Sequence, residues 1–211
     1  YTFPTSGLHD VKLKVVTPEG CADSITQSVK VFALPTASFD YNDHCLNISH
    51  TFTNTSTVAG NPATGSVYLW NFGDGNAVSQ ENPSHTYQNV GVYNVSVLAI
   101  TPEGCTDDTT QTIEVFENPV ADFTFIEACY GSPITLTSTS NIASGTIDVY
   151  NWSINGVVTY DIPNTTHVTA DDGLHDIKLV VTSDKGCADS VTYIVETFTP
   201  QRSNMINWYE S

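Results

Sequence analysis

Basic residues are scarce in this sequence. It has 6 Lys plus Arg against 23 Asp plus Glu in 211 residues, which gives a formal net charge of −17 at pH 7. Proteins that bind nucleic acid neutralise phosphates with clustered Lys and Arg, and anionic lipid surfaces attract the same side chains. The composition therefore argues against nucleic acid and against an anionic membrane surface as partners.

Long hydrophobic runs are also absent. No apolar run approaches the roughly 18–20 residues that span a bilayer, so no direct membrane insertion is expected. No signal peptide is visible, and Tyr1 is not a natural start residue. We therefore interpret the sequence as a piece of a longer protein.

The motifs of common enzymes and metal sites are missing too. The sequence contains no G-x-S-x-G, no H-E-x-x-H and no phosphate-binding loop, so we predict no catalytic residue and a protein that is not an enzyme. No C-x-x-C or Cys/His spacing indicates zinc. The acidic pairs Asp107-Asp108 and Asp171-Asp172 lack the spaced carboxylates of a calcium loop. We predict no cofactor and no metal site, and leave open only weak calcium binding.

The sequence does have the pattern of short β-strands. Val95 and Val97 alternate with Asn94 and Ser96, so one face of that strand is apolar and the other polar. Apolar residues make up 40% of the chain, and the strand-like runs are rich in Val, Ile, Thr, Tyr and Phe. No segment has a sustained helical period. These observations predict an all-β protein.

An internal repeat organises these strands. The motif G-L-H-D-V at Gly7 recurs as G-V-Y-N-V at Gly91 and as G-L-H-D-I at Gly173, at spacings of 84 and 82 residues. Each spacing is the length of one sandwich domain. The predicted domains are residues 1–33, the C-terminal part of one repeat; 34–116, a complete repeat; 117–196, a complete but degenerate repeat; and 197–211, an unassigned tail.

The most informative stretch is W-N-F-G-D-G from Trp70, followed by H-T-Y from His85 and G-V-Y-N-V from Gly91. Trp70 and Phe72 lie on the same face of one strand, and Asp-Gly favours a tight turn. These motifs resemble the PKD domain, an immunoglobulin-like β-sandwich. The resemblance implies core or turn roles for Trp70, Phe72, Gly73, Asp74, Gly75, His85, Tyr87, Tyr93 and, in the third repeat, Trp152. Predicted strands in the complete second repeat are 37–41, 48–54, 67–72, 92–100 and 107–116, with another opening at 84–87.

The third repeat departs from this pattern. Trp152 stands in the position of Trp70, but the turn after it reads S-I-N-G at 153–156 instead of F-G-D-G. His167 takes the place of His85, and the tyrosine that follows is missing. Because Asn-Gly forms the same kind of hairpin turn, we expect the fold to persist without the aspartate.

Asp74 and His85 allow a catalytic interpretation and a structural one. We favour the structural one, in which Asp74 caps a turn and His85 forms a hydrogen bond within the sheet, as the resemblance implies. Trp70 and Trp152 are interpreted as core anchors rather than sugar-stacking platforms, because a tryptophan at this strand position of a sandwich usually anchors the core. The other histidines are interpreted as strand residues: His9, His44, His50, His167 and His175.

Five cysteines recur at two fixed places per repeat, which is typical of disulfides in an exported protein. One hypothesis pairs Cys45 with Cys105 and Cys129 with Cys187, and leaves Cys21 to a partner outside the sequence. In a sandwich these pairs would lie at opposite ends, roughly 30 Å apart along a strand, whereas a disulfide requires Cα atoms within about 7 Å. We therefore prefer an inter-domain Cys45–Cys187 pair, which would stiffen the tandem sandwiches into a rod, and keep the within-repeat pairing as the alternative.

The whole repeat resembles PKD arrays of Bacteroidetes cell-surface proteins, including gliding-motility adhesins exported by type IX secretion. The resemblance implies a non-catalytic stalk or filament segment of an extracellular, cell-surface adhesin that serves gliding motility or attachment. It implies neighbouring repeats of the same chain, and other cell-surface or secretion-system proteins, as partners. It also implies O-glycosylation at the D-S/T-x motifs of Ser24, Thr109 and Ser190.

The alternative function is that of accessory PKD modules of a secreted hydrolase, which bind substrate or carbohydrate or act as spacers. This alternative predicts an exposed aromatic face for a ligand and a catalytic domain in flanking sequence. A third option, a calcium-dependent adhesion strip, needs cation sites at the domain junctions, and the sequence contains no motif for them.

Overall fold

The computed structural model describes residues 1–42, 45–59 and 61–199. Within these ranges all regular secondary structure is β-strand, which confirms the predicted all-β class. The described chain divides into two compact units, one made of residues 1–42 and 47–115 and the other of residues 45–46 and 116–199. His44 and residues 200–211, which include most of the predicted tail, lie outside the described residues.

The first unit begins with a hairpin of β1 (Gly7–Val16) and β2 (Ala22–Val31), which pair antiparallel as a two-stranded sheet. Leu13 and Ile25 face each other across this hairpin and are both exposed. At the repeat position of Leu13 in the second unit, Leu179 is fully buried. The hairpin thus has apolar residues at positions that face the core in the second unit, but here these residues are exposed. That residues 1–33 end a repeat stays a prediction.

The rest of the first unit is a β-sandwich. Its strands are β3 (Pro35–Thr36), β4 (Phe39–Tyr41), β5 (Ser49–Asn54), β6 (Thr57–Val58), β7 (Asn61–Pro62), β8 (Val67–Asn71), β9 (Ala77–Ser79), β10 (Ser84–Thr86), β11 (Gly91–Ile100) and β12 (Thr106–Val115). The sheets have the orders β12–β11–β8–β9, β10–β5–β4 and, for the shortest strands, β3–β6–β7. The predicted strands lie within two residues of their expected bounds, whereas the short strands β3, β6, β7 and β9 are not among the predicted ones.

Aromatic side chains fill the core of this sandwich. Phe39 and Phe52 come from the β10–β5–β4 sheet, and Trp70 from the four-stranded sheet. The Trp70 ring lies 5.1 Å from the Phe39 ring and 5.8 Å from the Phe52 ring, centroid to centroid. Val95 and Val97 on β11 are fully buried, as the alternation of that strand predicts. The core therefore lies between these two sheets.

The second unit repeats the architecture. Its strands are β13 (Phe123–Ile126), β14 (Pro133–Ser138), β15 (Ile147–Ile154), β16 (Val157–Tyr160), β17 (Asn164–Val168), β18 (Gly173–Ser183) and β19 (Ala188–Thr197). They form the sheets β13–β14–β17 and β16–β15–β18–β19, all antiparallel. Phe123 on the first sheet contacts Trp152 on the second, at 4.9 Å between ring centroids. Strand β19 runs one residue past the predicted boundary at 196.

Candidate functional site

The turn between β8 and β9 is built on two glycines. Gly73 and Gly75 have φ angles of +79° and +95°, in the left-handed region that glycine tolerates. A Cβ on Gly73 would lie 2.8 Å from the backbone O of Asn94, whereas a Cβ on Gly75 would meet nothing within 4 Å. Asp74 itself does not have a positive φ. The reversal therefore depends on the flanking glycines, and Gly73 also allows β11 to approach closely.

Asp74 holds this turn through its carboxylate. The Asn76 backbone N–H donates to Oδ1 at 3.0 Å, the Asn76 side-chain amide donates to Oδ2 at 3.0 Å, and His85 Nε2 lies 2.7 Å from Oδ2. Burial opposes ionisation of the carboxyl. The hydrogen bonds from Asn76 and from His85 outweigh that burial, so they hold the pKa of Asp74 below its ordinary value. Asp74 therefore accepts hydrogen bonds from within its own turn and contacts His85.

His85 and Tyr87 join the turn to the core. The His85 ring stacks on Phe72 at 4.1 Å and meets the Tyr87 ring edge-on at 4.7 Å. The Tyr87 hydroxyl donates to the Phe72 backbone O at 2.9 Å, and its ring stacks on Tyr93 at 4.2 Å. Burial first, and then the nearby Asp74 and Tyr93, raise the pKa of the Tyr87 hydroxyl, so it stays protonated and can donate.

These contacts give the cluster a structural task. Both Asp74 carboxylate oxygens accept hydrogen bonds that fix the turn, and the Tyr87 hydroxyl is committed to a backbone carbonyl. The His85 ring is largely buried between aromatic neighbours. The cluster ties β8, β10 and β11 together, and its geometry favours the structural interpretation over proton transfer to a substrate.

The two strand tryptophans are core residues. Trp70 is 1% exposed and Trp152 is 0% exposed. Their indole N–H groups donate to Gln80 O and Ile162 O, each at 2.9 Å, so the polar edge of each ring is satisfied. Each carbonyl lies ten residues beyond its tryptophan, at the same repeat position. Buried in this way, neither indole can stack on a sugar.

In the second unit a different network occupies the position of the Asp74 cluster. Asn155 and Gly156 have φ angles of +50° and +82°, as expected for the Asn-Gly turn. The Asn155 side-chain O accepts the Asp176 backbone N–H at 3.0 Å, and its amide lies 3.2 Å from His175 Nδ1. His175 is buried and its Nε2 lies 3.1 Å from the Thr197 hydroxyl. The fold thus persists with an uncharged turn.

The remaining described histidines lie on strands as predicted: His9 on β1, His50 on β5, His167 on β17 and His175 on β18. His50 is fully buried and meets Tyr87 edge-on at 5.3 Å. Burial first, and then His175, lower the pKa of His167 below its ordinary value.

An aspartate role that the sequence reasoning missed appears once in each sandwich. Asp107 Oδ2 accepts the Ala37 backbone N–H, and Asp189 Oδ2 accepts the Ala121 backbone N–H, both at 2.8 Å. Each carboxylate thereby anchors the start of its sandwich to the last strand. The signal was available, because an aspartate follows the hairpin cysteine by two residues in every repeat.

The predicted O-glycosylation residues do not share one environment. Ser24 and Ser190 are exposed on β2 and β19, whereas Thr109 is half-buried on β12. The repeat position of Ser24 and Ser190 is occupied by Asp108, so Thr109 lies on the opposite face of its strand. Glycosylation of these three residues stays a prediction, with Ser24 and Ser190 the more accessible.

Cys45 and Cys187 form a disulfide, with Cα atoms 5.5 Å apart. This is the pairing that the sequence reasoning preferred, and the alternative Cys45–Cys105 bond is not present. Residues 45–46 group with the second unit, although the residues before and after them in sequence belong to the first. The bond therefore lies within the second unit. Cys21, Cys105 and Cys129 are free thiols.

Metal-binding groups and membrane-spanning helices are both absent from the described part of the chain. No three His, Cys, Asp or Glu side chains among the described residues come together in a group that could hold a metal ion. In the same residues no helix is long and apolar enough to cross a membrane.

Comparisons with known proteins place the first sandwich in a family. The fold and the Trp70–Tyr93 cluster define an immunoglobulin-like β-sandwich with a turn fixed by aspartate and histidine. A sequence profile of the PKD domain matches residues 32–117. Residues 32–117 therefore belong to the PKD domain family.

Two full-length proteins and one solved PKD domain are similar to parts of this chain. Pre-pro-metalloprotease PrtV of Vibrio cholerae is 30% identical over 133 residues, which are 61% of this chain and 14% of PrtV. Collagenase ColA of Bacillus cereus is 28% identical over 95 residues, which are 45% of this chain and 10% of ColA. The crystal structure of the PKD1 domain of Vibrio anguillarum Epp is 30% identical, covers 40% of this chain and 96% of that domain, and has a TM-score of 0.35. The chain thus spans only a small part of the two full-length relatives.

Proposed function

We propose that this chain is a pair of non-catalytic accessory modules in an exported hydrolase, and that the modules act as spacers. The observation that carries the proposal is the 30% identity over 133 residues to a pre-pro-metalloprotease, supported by the shorter match to a collagenase. The aligned stretch is longer than the 32–117 span of the PKD profile, so the likeness extends beyond one domain.

The geometry supports spacing more than ligand capture. The side chains that define the PKD motif pack in the core or form hydrogen bonds in one turn, and both strand tryptophans are buried. They are therefore not available to bind a ligand. An extracellular location is supported by the Cys45–Cys187 disulfide, because disulfides persist in oxidising compartments. The net charge of −17 supports proposed partners other than nucleic acid and anionic membranes.

The test uses the full-length natural polypeptide. Residues 34–199 are replaced by a flexible Gly/Ser linker of equal length, and hydrolysis of a soluble peptide and of insoluble collagen fibrils is measured. We expect kcat/KM for the soluble peptide to be unchanged and the rate on fibrils to fall by roughly tenfold, because loss of positioning on a large substrate reduces the effective concentration of the enzyme there.

A matched control separates spacing from binding. A second variant carries two unrelated immunoglobulin-like sandwiches of the same length in place of residues 34–199. Spacing predicts that this variant restores the rate on fibrils, whereas ligand binding by the native modules predicts that it does not. A full-length polypeptide without any hydrolytic activity would overturn the hydrolase proposal.

A second candidate is a stalk segment of a cell-surface adhesin, serving gliding motility or attachment after type IX secretion. The observation that favours it is the three-fold recurrence of the hairpin motif from Gly7 to Gly173, joined to a disulfide between cysteines of different sequence repeats. Neighbouring repeats and secretion-system proteins would then be the partners. Cell-surface retention of the full-length protein, together with loss of attachment on shortening the array, would favour this candidate over the hydrolase.

A further inference from the structure

The hairpin cysteines of the three repeats lie in the same turn. In the second unit Ser183 donates its backbone N–H to Cys187 O at 2.8 Å, and Cys187 donates its N–H to the Ser183 hydroxyl at 3.2 Å. Thr101 and Cys105 form the same two bonds at 2.9 and 3.2 Å. Thr17 and Cys21 form the first of them at 2.8 Å. Cys21 and Cys105 are thus held as Cys187 is held, but are free thiols.

Cys45 and Cys129, which occupy the same repeat position near the start of each sandwich, also have the same backbone geometry. Cys45 forms a parallel bridge with Phe116, the residue directly after β12, and the next N–H in sequence donates to Phe116 O at 2.8 Å. Cys129 forms a parallel bridge with Phe198, directly after β19, and the Tyr130 N–H donates to Phe198 O at 2.7 Å. Each cysteine is therefore fixed beside the segment by which the chain leaves a sandwich.

The Cys45–Cys187 disulfide shows which cysteines of successive repeats pair. Cys45 belongs by sequence to one repeat, and its partner Cys187 is the hairpin cysteine of the repeat that follows Phe116. Cys129 has the same backbone position as Cys45 and is exposed, without a sulfur partner. Cys105 has the same turn as Cys187 and is also unpaired.

We propose that Cys129 is a cross-linking site for the hairpin cysteine of another copy of this sandwich, and that Cys105 and Cys21 are sites for cysteines of other copies that occupy the position of Cys45. The partner is another copy of this sandwich, so the inference rests on the second candidate function, an array of repeats, rather than on a pair of modules. The proposal goes beyond the Cys45–Cys187 bond, because the same kind of bond would recur between successive copies of the sandwich.

The chemistry is thiol–disulfide exchange with a small disulfide such as oxidised glutathione. The Cys129 thiolate attacks one glutathione sulfur and releases one glutathione thiol. The incoming hairpin thiolate then attacks the Cys129 sulfur and releases the second glutathione thiol. Two protein thiols are oxidised to one disulfide, and one glutathione disulfide is reduced to two thiols, so protons and electrons balance.

The experiment lengthens the full chain by one repeat. A second copy of residues 117–198, with its own Cys129 changed to Ser, is inserted between Phe198 and Thr199. The protein is folded in a glutathione redox buffer, its free thiols are alkylated, and non-reduced peptides are mapped by mass spectrometry. We expect two linked peptides in equal yield, Cys45 with a Cys187 peptide and Cys129 with a Cys187 peptide, and alkylated Cys21 and Cys105.

The Cys45–Cys187 peptide shows that the lengthened chain has folded. A Cys129→Ser change in the first copy should remove only the Cys129 peptide and leave one Cys187 alkylated. Alkylated Cys129 beside an intact Cys45 link would overturn the proposal.

The unaltered chain gives a second measurement. Oxidation at high concentration should join Cys129 of one copy to Cys105 or Cys21 of another, and dimers joined only through two Cys129 residues would contradict the pairing rule.

Discussion

At the residue scale, the PKD motif is a set of polar side chains whose groups are used by the protein itself. Asp74 receives hydrogen bonds from the backbone and the side chain of Asn76 and contacts His85. Tyr87 donates to a backbone carbonyl in the core. The pattern looks chemically active in sequence, because acid, base and phenol occur close together. Their partners show instead how a sandwich fixes one turn.

The Asp74 carboxyl should make stability depend on acid. Because its pKa is lowered by folding, the ionised form stabilises the fold above the ordinary value of 3.8, and this contribution is lost as pH falls through the folded pKa. We expect Asp74→Asn to lower the free energy of unfolding by about 1 kcal/mol at pH 7, with the difference from wild type shrinking below about pH 4.

Urea unfolding of the two proteins at pH 7, 5, 4 and 3 measures this difference. Asp40→Asn, at an exposed position of β4, is the control for loss of one negative charge. A difference that stays constant down to pH 3 would show that the carboxylate contacts do not stabilise the turn.

At the element scale, the turn between β8 and β9 needs glycine for two different reasons. One is a positive φ angle, and the other is the lack of a Cβ where another strand approaches closely. Gly73 and Gly75 both need a positive φ, but only Gly73 has backbone of β11 within reach of a Cβ. We expect Gly75→Ala to cost about 1–2 kcal/mol for the left-handed backbone. Gly73→Ala should cost clearly more, because Asn94 backbone atoms at 2.8 and 2.9 Å must move.

Thermal and urea unfolding of the two variants tests this order, and each serves as the control for the other. The cost of placing alanine in the left-handed region is common to both variants and cancels in the comparison. The remaining difference in the free energy of unfolding measures the close approach of β11 to Gly73. Equal destabilisation would mean that β11 does not press on this turn.

At the scale of the whole molecule, one covalent bond closes a very long loop. Cys45 and Cys187 are 142 residues apart in sequence. In the chain-entropy model such a bond stabilises the folded state by roughly 4–5 kcal/mol, because the unfolded chain loses freedom. A double Cys45→Ser, Cys187→Ser variant should therefore melt at a lower temperature than wild type, and reductant should no longer affect it.

Differential scanning calorimetry with and without dithiothreitol makes the measurement. Cys21→Ser removes an exposed free thiol and should leave both melting temperature and reductant sensitivity as in wild type. Insensitivity of the wild-type protein to reductant would contradict a stabilising bond.

The sequence by itself determined the features whose causes are local. Alternating side chains predicted β11 and β12 to within one residue, because strand period fixes which face is buried. The Asn155-Gly156 turn followed from turn chemistry alone, and the burial of Trp70 and Trp152 followed from the repeat and the family resemblance. The short strands β3, β6, β7 and β9 were missed, since two or three residues carry too little periodicity, whereas the equally short β10 was predicted from its H-T-Y motif.

Tertiary structure alone decided which distant groups meet. The recurring aspartate after each hairpin cysteine marks a position, but nothing local indicates which N–H groups Asp107 and Asp189 accept, because the partners lie about 70 residues away. The sequence left two cysteine pairings open. The choice between them depends on where residues 45–46 pack, and that position is a property of the folded second unit rather than of neighbouring residues. Period and turn chemistry act over a few residues, whereas contacts of this kind exist only once both sheets have formed.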